Sequence, residues 1–147
     1  MLLTQHALQD FATTCDSAFS KVIGSGYTKA AFFQSLLNTT ISQYPFGAPN
    51  MPTDDGPVLN LPFADTQTTL PGRPIRLFPN FYGAPGHYTS DLFREAVVTH
   101  EGIHHFTGWL DATVFTNFYS SGLRNPDGTT NDITLWIQAK CPNPWIP

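Results

Sequence analysis

The sequence predicts an α+β domain that is mostly helical and contains a small sheet. Apolar residues recur at helical spacing near the start, in the middle and near the end of the chain, and one short segment alternates apolar and polar residues as a strand does. A proline-rich stretch, 45–74, lies between the first helical segments and this strand-like segment. With 147 residues, 41% of them apolar, the chain has the length of one domain, which we expect to cover residues 1–147.

The elements are predicted in chain order as follows. Amphipathic helices are expected over 4–23 and 28–44, separated by Gly24-Ser25-Gly26, and they should form a hairpin that supports the central helix. The second should point five residues inward: Phe33, Leu36, Leu37, Thr40 and Ile41. The proline-rich stretch 45–74 is predicted as an ordered loop with one strand-like piece at 58–61. A strand at 75–78, a loop at 80–88, and helices over 90–107, 111–120 and 131–140 complete the chain.

Charge and hydropathy exclude two classes of partner. Charged residues make up 12% of the chain, the net charge is -4, and the seven basic residues are scattered rather than gathered in a stripe, so no nucleic-acid partner is expected. No apolar run approaches the ~20 residues that a membrane-spanning helix needs. We expect a monomer.

The two cysteines, Cys15 and Cys141, each fall on an apolar helical stripe near one end of the chain. Two buried free thiols and a disulfide that joins the first helix to the last both fit this placement. The low charge and abundant Thr, Asn, Ser and Pro favour a secreted or exported protein. Met1-Leu2-Leu3 is too short for the apolar core of a signal peptide, which is therefore either absent or already removed.

The helix over 90–107 carries the pattern H-E-x-x-H as His100, Glu101 and His104. At ~100° per residue the two imidazoles fall on one helix face, where both can reach one zinc ion, and Glu101 lies to the side as a base. A pair of partly buried, hydrogen-bonded histidines is the alternative. Gly102 costs a helix interior roughly 1 kcal/mol, and the close approach of a neighbouring strand would compensate for it.

A catalytic zinc takes three protein ligands, so a third must be found. The only glutamates are Glu95 and Glu101, and no histidine follows His105, so a ligand downstream of the motif has to be an aspartate. The candidates are Asp111, Asp127 and Asp132. Asp127 belongs to an Asn-Pro-Asp-Gly turn and Asp132 to the start of the last helix, which explains both without a metal. Asp111 is therefore the preferred ligand.

Asp111 can reach the metal only if the helix ends at Gly108. In an unbroken helix it would lie ~10 Å beyond His104, whereas a left-handed glycine lets the chain fold back. A simple capping role for Asp111 at the next helix is the alternative. His87 is the upstream rival, and His105 is a poorer one because it points ~100° away from its neighbour.

The order His100-Glu101-x-x-His104 followed by Gly108-x-x-Asp111 resembles the zincin metallopeptidases that use aspartate as third zinc ligand. The resemblance covers residues 74–119 and is to the superfamily. Metzincins have one residue fewer before the glycine, and deuterolysin-like aspzincins have a Gly-Thr pair where this chain has Thr107-Gly108. No methionine follows Met51, so the methionine turn of metzincins is absent.

The resemblance implies a zincin-like domain that hydrolyses peptide bonds in a peptide or protein substrate. Zn²⁺ held by His100, His104 and Asp111 would activate a water molecule, and Glu101 would act as general base. Zincins often add a Tyr or His that stabilises the oxyanion, and the candidates here are Tyr82, His87, Tyr88 and Tyr119. By the same resemblance, the strand at 75–78 is an exposed edge above the metal helix that binds extended substrate.

Two alternatives remain open at this point. The chain could be a non-catalytic protein-interaction domain with a structural metal or none, although structural zinc sites usually have four ligands with cysteine prominent, and neither cysteine is near the motif. It could also be an effector or toxin protease that cleaves one target protein. The second alternative differs from the main prediction in substrate and not in chemistry.

Overall fold

The computed structural model describes residues 13–43, 52–53, 56–57, 64–78, 81, 91–123 and 133–141. Over these residues the helices are α1 (Thr13–Ile23), α2 (Lys29–Leu37), α3 (Asp91–Thr107), α4 (Asp111–Ser120) and α5 (Ile133–Lys140). The strands are β1 (Ile41–Gln43), β2 (Pro52–Thr53), β3 (Gly56–Pro57), β4 (Ala64–Thr66) and β5 (Ile75–Leu77). The predicted mixed, mostly helical class is confirmed.

Helix α3 lies at the centre of the described structure. It packs against α5, α2 and β4, with the contact to α5 the most extensive. Aromatic side chains pack beside it: Phe32 of α2 meets Phe106 of α3 at a centroid distance of 5.7 Å. Phe19 of α1 in turn meets Phe32 and Phe118 edge to face, at 5.7 and 6.0 Å. None of the described helices combines the length and hydropathy that crossing a membrane requires.

Cys15 of α1 and Cys141, which directly follows α5, form a disulfide. Both are buried in the core cluster, with 0% and 4% exposure. The sequence left open two buried free thiols or a disulfide. The structure contains the disulfide, which joins the first described helix to the last.

Helix α2 is shorter than predicted and turned about its axis. It begins with the Thr28 hydroxyl accepting a hydrogen bond from the Ala31 amide and ends at Leu37, so the prediction of helix over 38–43 is wrong. The last residue of that predicted helix, 44, lies outside the described residues. Phe32 and Leu36 are buried, whereas Leu37, predicted to face inward, is 48% exposed.

The inward face of α2 is set by Gly102 of α3. A Cβ at Gly102 would lie 2.6 Å from Leu36 Cδ1 and 3.0 Å from Phe32 Cζ, distances at which something would have to move. The close neighbour that explains this glycine is therefore a helix, not the strand that the sequence suggested. Absence of a side chain at this one position lets α2 approach the backbone of α3.

The main sheet has the strand order β1-β5-β4. β1 runs parallel to β5, with Ile41 opposite Ile75, and β4 runs antiparallel to it, with Ala64 opposite Leu77. β5 is thus the central strand, and all three of its residues are buried. The prediction of an exposed substrate-binding edge at 75–78 is wrong, because both edges of β5 are paired, one with β1 and the other with β4. The sequence had predicted these two partners as helix and as loop.

A cross-strand ion pair fixes the register of β4. Asp65 and Arg76 face each other on β4 and β5, and the Arg76 Nε donates to Asp65 Oδ1 at 2.7 Å while a second nitrogen contacts Oδ2. Their side chains are only 11% and 4% exposed. Such a two-point contact sets both position and orientation. It holds the strand that leads into Thr66, which faces α3. The predicted strand-like piece at 58–61 lies outside the described residues.

Candidate metal centre

Helix α3 presents its two histidines on one face, as the motif predicts. The rings of His100 and His104 stack with their centroids 4.9 Å apart. His104 is buried and His100 is intermediate in exposure, and Val97 continues the same inward stripe. The helix spans Asp91–Thr107, within one residue of the predicted bounds.

The chain reverses at Gly108, where φ is +76°. The Gly108 amide donates to the His104 carbonyl at 2.7 Å, and the next helix begins only three residues later, at Asp111. A Cβ at Gly108 would lie 2.9 Å from the guanidinium of Arg73, which donates to the His105 carbonyl at 3.0 Å. Glycine is therefore favoured twice, by backbone conformation and by the arginine that closes the helix end.

This reversal brings Asp111 to the histidines. Its Oδ1 lies 2.8 Å from His104 Nε2 and 3.1 Å from His100 Nε2. Leu110, not Asp111, occupies the N-cap position of α4. A capping role is therefore not the reason for the aspartate's position.

The three candidate ligand atoms form a small triangle. Its third side, between the two Nε2 atoms, measures 3.1 Å. Ligands 2.0–2.1 Å from a tetrahedral zinc lie about 3.3 Å apart, so the triangle fits one such ion with little adjustment. The Asp111 side chain is 36% exposed and those of His100 and His104 are 13% and 7% exposed, so the cluster meets solvent on the aspartate side.

Hydrogen bonds at the far side of each ring orient the imidazoles. His104 Nδ1 bonds the Trp109 carbonyl, which can only accept, so that nitrogen carries a hydrogen. His100 Nδ1 lies 2.8 Å from the hydroxyl of Thr134 on α5. Both Nε2 atoms consequently point at the centre of the triangle, as ligating histidines require. Sequence analysis missed both partners: one is a backbone carbonyl and the other lies on a distant helix.

The surroundings of His104 favour its protonated form when no cation is bound. Burial lowers the pKa of this imidazole, but the hydrogen bond to Asp111, the charge of Glu101 and the bond to the Trp109 carbonyl outweigh it and raise the pKa to about 9. A cation that binds Nε2 must displace this proton.

Glu101 lies beside the triangle and is 7% exposed. Burial and the nearby Asp111 carboxylate raise the pKa of its carboxyl group, while electrostatic interactions with His104 and His100 and a hydrogen bond from Thr66 oppose that rise. Thr66 Oγ1 is 2.7 Å from Glu101 Oε2 and 3.0 Å from the Glu101 carbonyl oxygen. Sequence analysis missed Thr66, because it lies in a stretch predicted as loop.

Of the other candidate site residues, the structure describes Tyr119 and His105, and neither contacts this cluster. Tyr82, His87, Tyr88, Asp127 and Asp132 lie outside the described residues. Tyr119 is 54% exposed and sits in the last turn of α4, about 12 Å along the helix from Asp111. His105 points elsewhere, toward the Arg73 carbonyl and the Thr39 hydroxyl, at the edge of a cavity of about 710 Å³ formed largely by residues 68–73.

Within the described ranges, His100, His104 and Asp111 are the one group of His, Cys, Asp or Glu side chains placed to hold a metal ion. No family model, curated protein or solved structure significantly matches this chain. What the cluster can do is therefore inferred from its donors and their geometry. Two imidazole nitrogens and a carboxylate oxygen are suitable ligands for a divalent transition metal.

Replacing Asp111 by alanine is expected to weaken zinc binding by at least about 100-fold, because one of three donors is removed while both histidines keep their orienting bonds. Competition with a chromogenic chelator measures the affinity. Asp132→Asn, at the alternative aspartate weighed from the sequence, serves as the comparison and should leave the affinity unchanged. Equal affinities for Asp111→Ala and the wild type would exclude Asp111 as a ligand.

Proposed function

We propose that this protein is a zinc metallopeptidase that resembles the zincins and hydrolyses peptide bonds. The observation that carries the proposal is the convergence of His100 Nε2, His104 Nε2 and Asp111 Oδ1 beside the buried carboxylate of Glu101. Two imidazoles and one carboxylate can hold zinc with a remaining coordination position, and the glutamate within the H-E-x-x-H pattern is the base typical of zinc peptidases.

In this proposal the metal, when bound, supplies a Lewis acid that activates water and polarises the scissile carbonyl. Glu101 accepts a proton from the attacking water as the new C–O bond forms, and it returns that proton to the nitrogen of the leaving amine as the C–N bond breaks. The water proton thus ends on the amine.

The donor count favours a catalytic over a structural metal. Structural zinc sites usually have four protein ligands, often cysteines, whereas catalytic sites keep one position for water or substrate. The cluster supplies three donors from the described residues. Cys15 and Cys141 are bonded to each other and are not available as ligands. These observations favour the peptidase over a non-catalytic interaction domain.

The disulfide also bears on where the protein works. Stable disulfides form in oxidising compartments, which supports the proposal that this protein is secreted or exported. A peptide or protein substrate, a monomeric state and a single domain over 1–147 remain predictions.

Metal removal tests the proposal directly. Purified protein is expected to contain one equivalent of zinc by mass spectrometry and to cleave a mixed peptide library. Dialysis against 1,10-phenanthroline should abolish cleavage, and one equivalent of Zn²⁺ should restore it, because Glu101 alone does not activate water sufficiently. Cleavage that persists in metal-free protein would contradict the proposal. Cleavage confined to one protein of a proteome digest would instead favour a narrow-specificity effector protease.

A further inference from the structure

We propose that Thr66 is a positioning residue: its hydroxyl holds the Glu101 carboxylate in the orientation that proton transfer needs. This inference rests on the proposed peptidase function and adds to it a residue of β4 that the motif does not contain. Thr66 is 5% exposed, and its hydroxyl contacts the side chain and the backbone of the same glutamate.

The contact is directed at one carboxylate oxygen. The Thr66 hydroxyl has a single hydrogen, and its shorter contact, 2.7 Å, is to Glu101 Oε2; the contact to the Glu101 carbonyl oxygen is 3.0 Å. With Oε2 held in this way, Oε1 is the atom that receives and returns the proton during hydrolysis. The bond from Thr66 persists through both transfers, because Oε2 accepts it whether or not Oε1 carries the proton.

Thr66 is itself held rigidly. It pairs with Ile75 in the sheet, the preceding Asp65 is bound at two points by Arg76, and the following Gln67 amide donates to the Pro74 carbonyl at 2.9 Å. Its β-branched side chain has few rotamers. A hydroxyl on such a strand can impose an orientation on a glutamate side chain that has three rotatable bonds of its own.

The test compares three variants with the wild type. Thr66→Val keeps the shape and removes the hydroxyl, Thr66→Ser restores the hydroxyl, and Thr116→Val is the matched control. Thr116 lies on α4, is exposed, and donates to the Ala112 carbonyl at 2.8 Å within its own helix.

Thr66→Val is expected to lower kcat by about 10- to 100-fold, the effect of losing one hydrogen bond to a charged group, with KM and zinc affinity unchanged. Thr66→Ser should recover most of kcat, and Thr116→Val should match the wild type. A general packing defect would instead lower the melting temperature and zinc affinity together, and the serine would not rescue it.

A second readout does not depend on activity. Glu95 and Glu101 are the only glutamates in the chain, so protein labelled with ¹³C at the glutamate carboxyl carbon gives two signals, which Glu101→Gln assigns. Thr66→Val should move the Glu101 signal and not that of Glu95, whereas Thr116→Val should move neither. If the valine variant does not fold, Thr66→Ala compared with Thr66→Ser gives the same contrast.

The outcomes separate the two proposals. An active wild type with equal kcat for Thr66→Val and Thr116→Val overturns this inference alone, as does a Glu101 signal that stays in place. A wild type that binds zinc but cleaves no peptide overturns the proposed function, and the positioning role of Thr66 in catalysis falls with it.

Discussion

Glu101→Gln is expected to reduce peptide cleavage by about 10²- to 10⁴-fold while zinc stays bound, which is the range for loss of a general acid–base group. A glutamine amide cannot accept the proton of the attacking water. The two imidazoles and Asp111, which form the proposed ligand triangle, are untouched by the change.

The same substitution should not destabilise the fold. Burial raises the pKa of Glu101 above its ordinary value of 4.5, so in metal-free protein its ionisation costs the folded state stability as the pH rises through and above that value. Glutamine removes this loss and still accepts the Thr66 hydroxyl through its amide oxygen. Glutamine also removes the charge that helps to raise the pKa of His104, so at neutral pH the metal-free variant should melt close to the wild-type temperature.

Measurements of kcat, zinc content and melting temperature on one preparation check both statements. Glu95→Gln provides the matched control, since it makes the same chemical change on the same helix at a position turned away from Glu101. Wild-type kcat in Glu101→Gln would remove this residue from the mechanism.

Loss of the Cys15–Cys141 disulfide should cause a large fall in stability. The bond joins residues 126 positions apart, so it restricts most of the unfolded chain, and the chain-entropy relation gives about 4–5 kcal/mol for a loop of this length. For a domain of this size that corresponds to a melting temperature lower by roughly 10–15 °C.

The double variant Cys15→Ala/Cys141→Ala, followed by calorimetry with and without reductant, measures this effect. The wild type with its disulfide reduced should show the same loss as the variant, and the variant should not respond to reductant. Zinc affinity at low temperature should be kept, because neither cysteine contacts the cluster. A double variant as stable as the oxidised wild type would mean that the bond contributes nothing to folding.

Sequence alone predicted the helices around the site better than the sheet. The bounds of α3 and α4 were predicted to within one residue, because a strong helical period and the left-handed glycine at 108 are local signals. The proximity of Asp111 to the histidines followed from the same glycine. The zinc itself remains a prediction.

Local reasoning predicted the central strand β5, but not its partners β1 and β4, because these strands are three residues long and pair across distant parts of the chain. Asp65 and Arg76 resemble exposed charges in the sequence, yet both are buried and pair with each other. Ile41 completes an apolar helical pattern in the sequence, but in the structure it pairs with Ile75. Such pairings depend on tertiary contacts, which override local preference.

The missed site residues share this cause. Thr66 of β4 contacts Glu101, and Thr134 of α5 contacts His100. The group that orients His104 is the backbone carbonyl of Trp109, and because every residue has such a carbonyl, the sequence does not mark it. A motif specifies which side chains could bind a metal. It does not specify which neighbours hold them in place.

The link between Cys15 and Cys141 has a further consequence for a protein proposed to cut peptide bonds. Any single backbone scission between these two positions leaves both fragments covalently attached. His100, Glu101, His104 and Asp111 all lie inside that loop, so self-digestion at one point would not release the piece that carries them. The protein can be cleaved once within this loop and remain one covalently connected molecule.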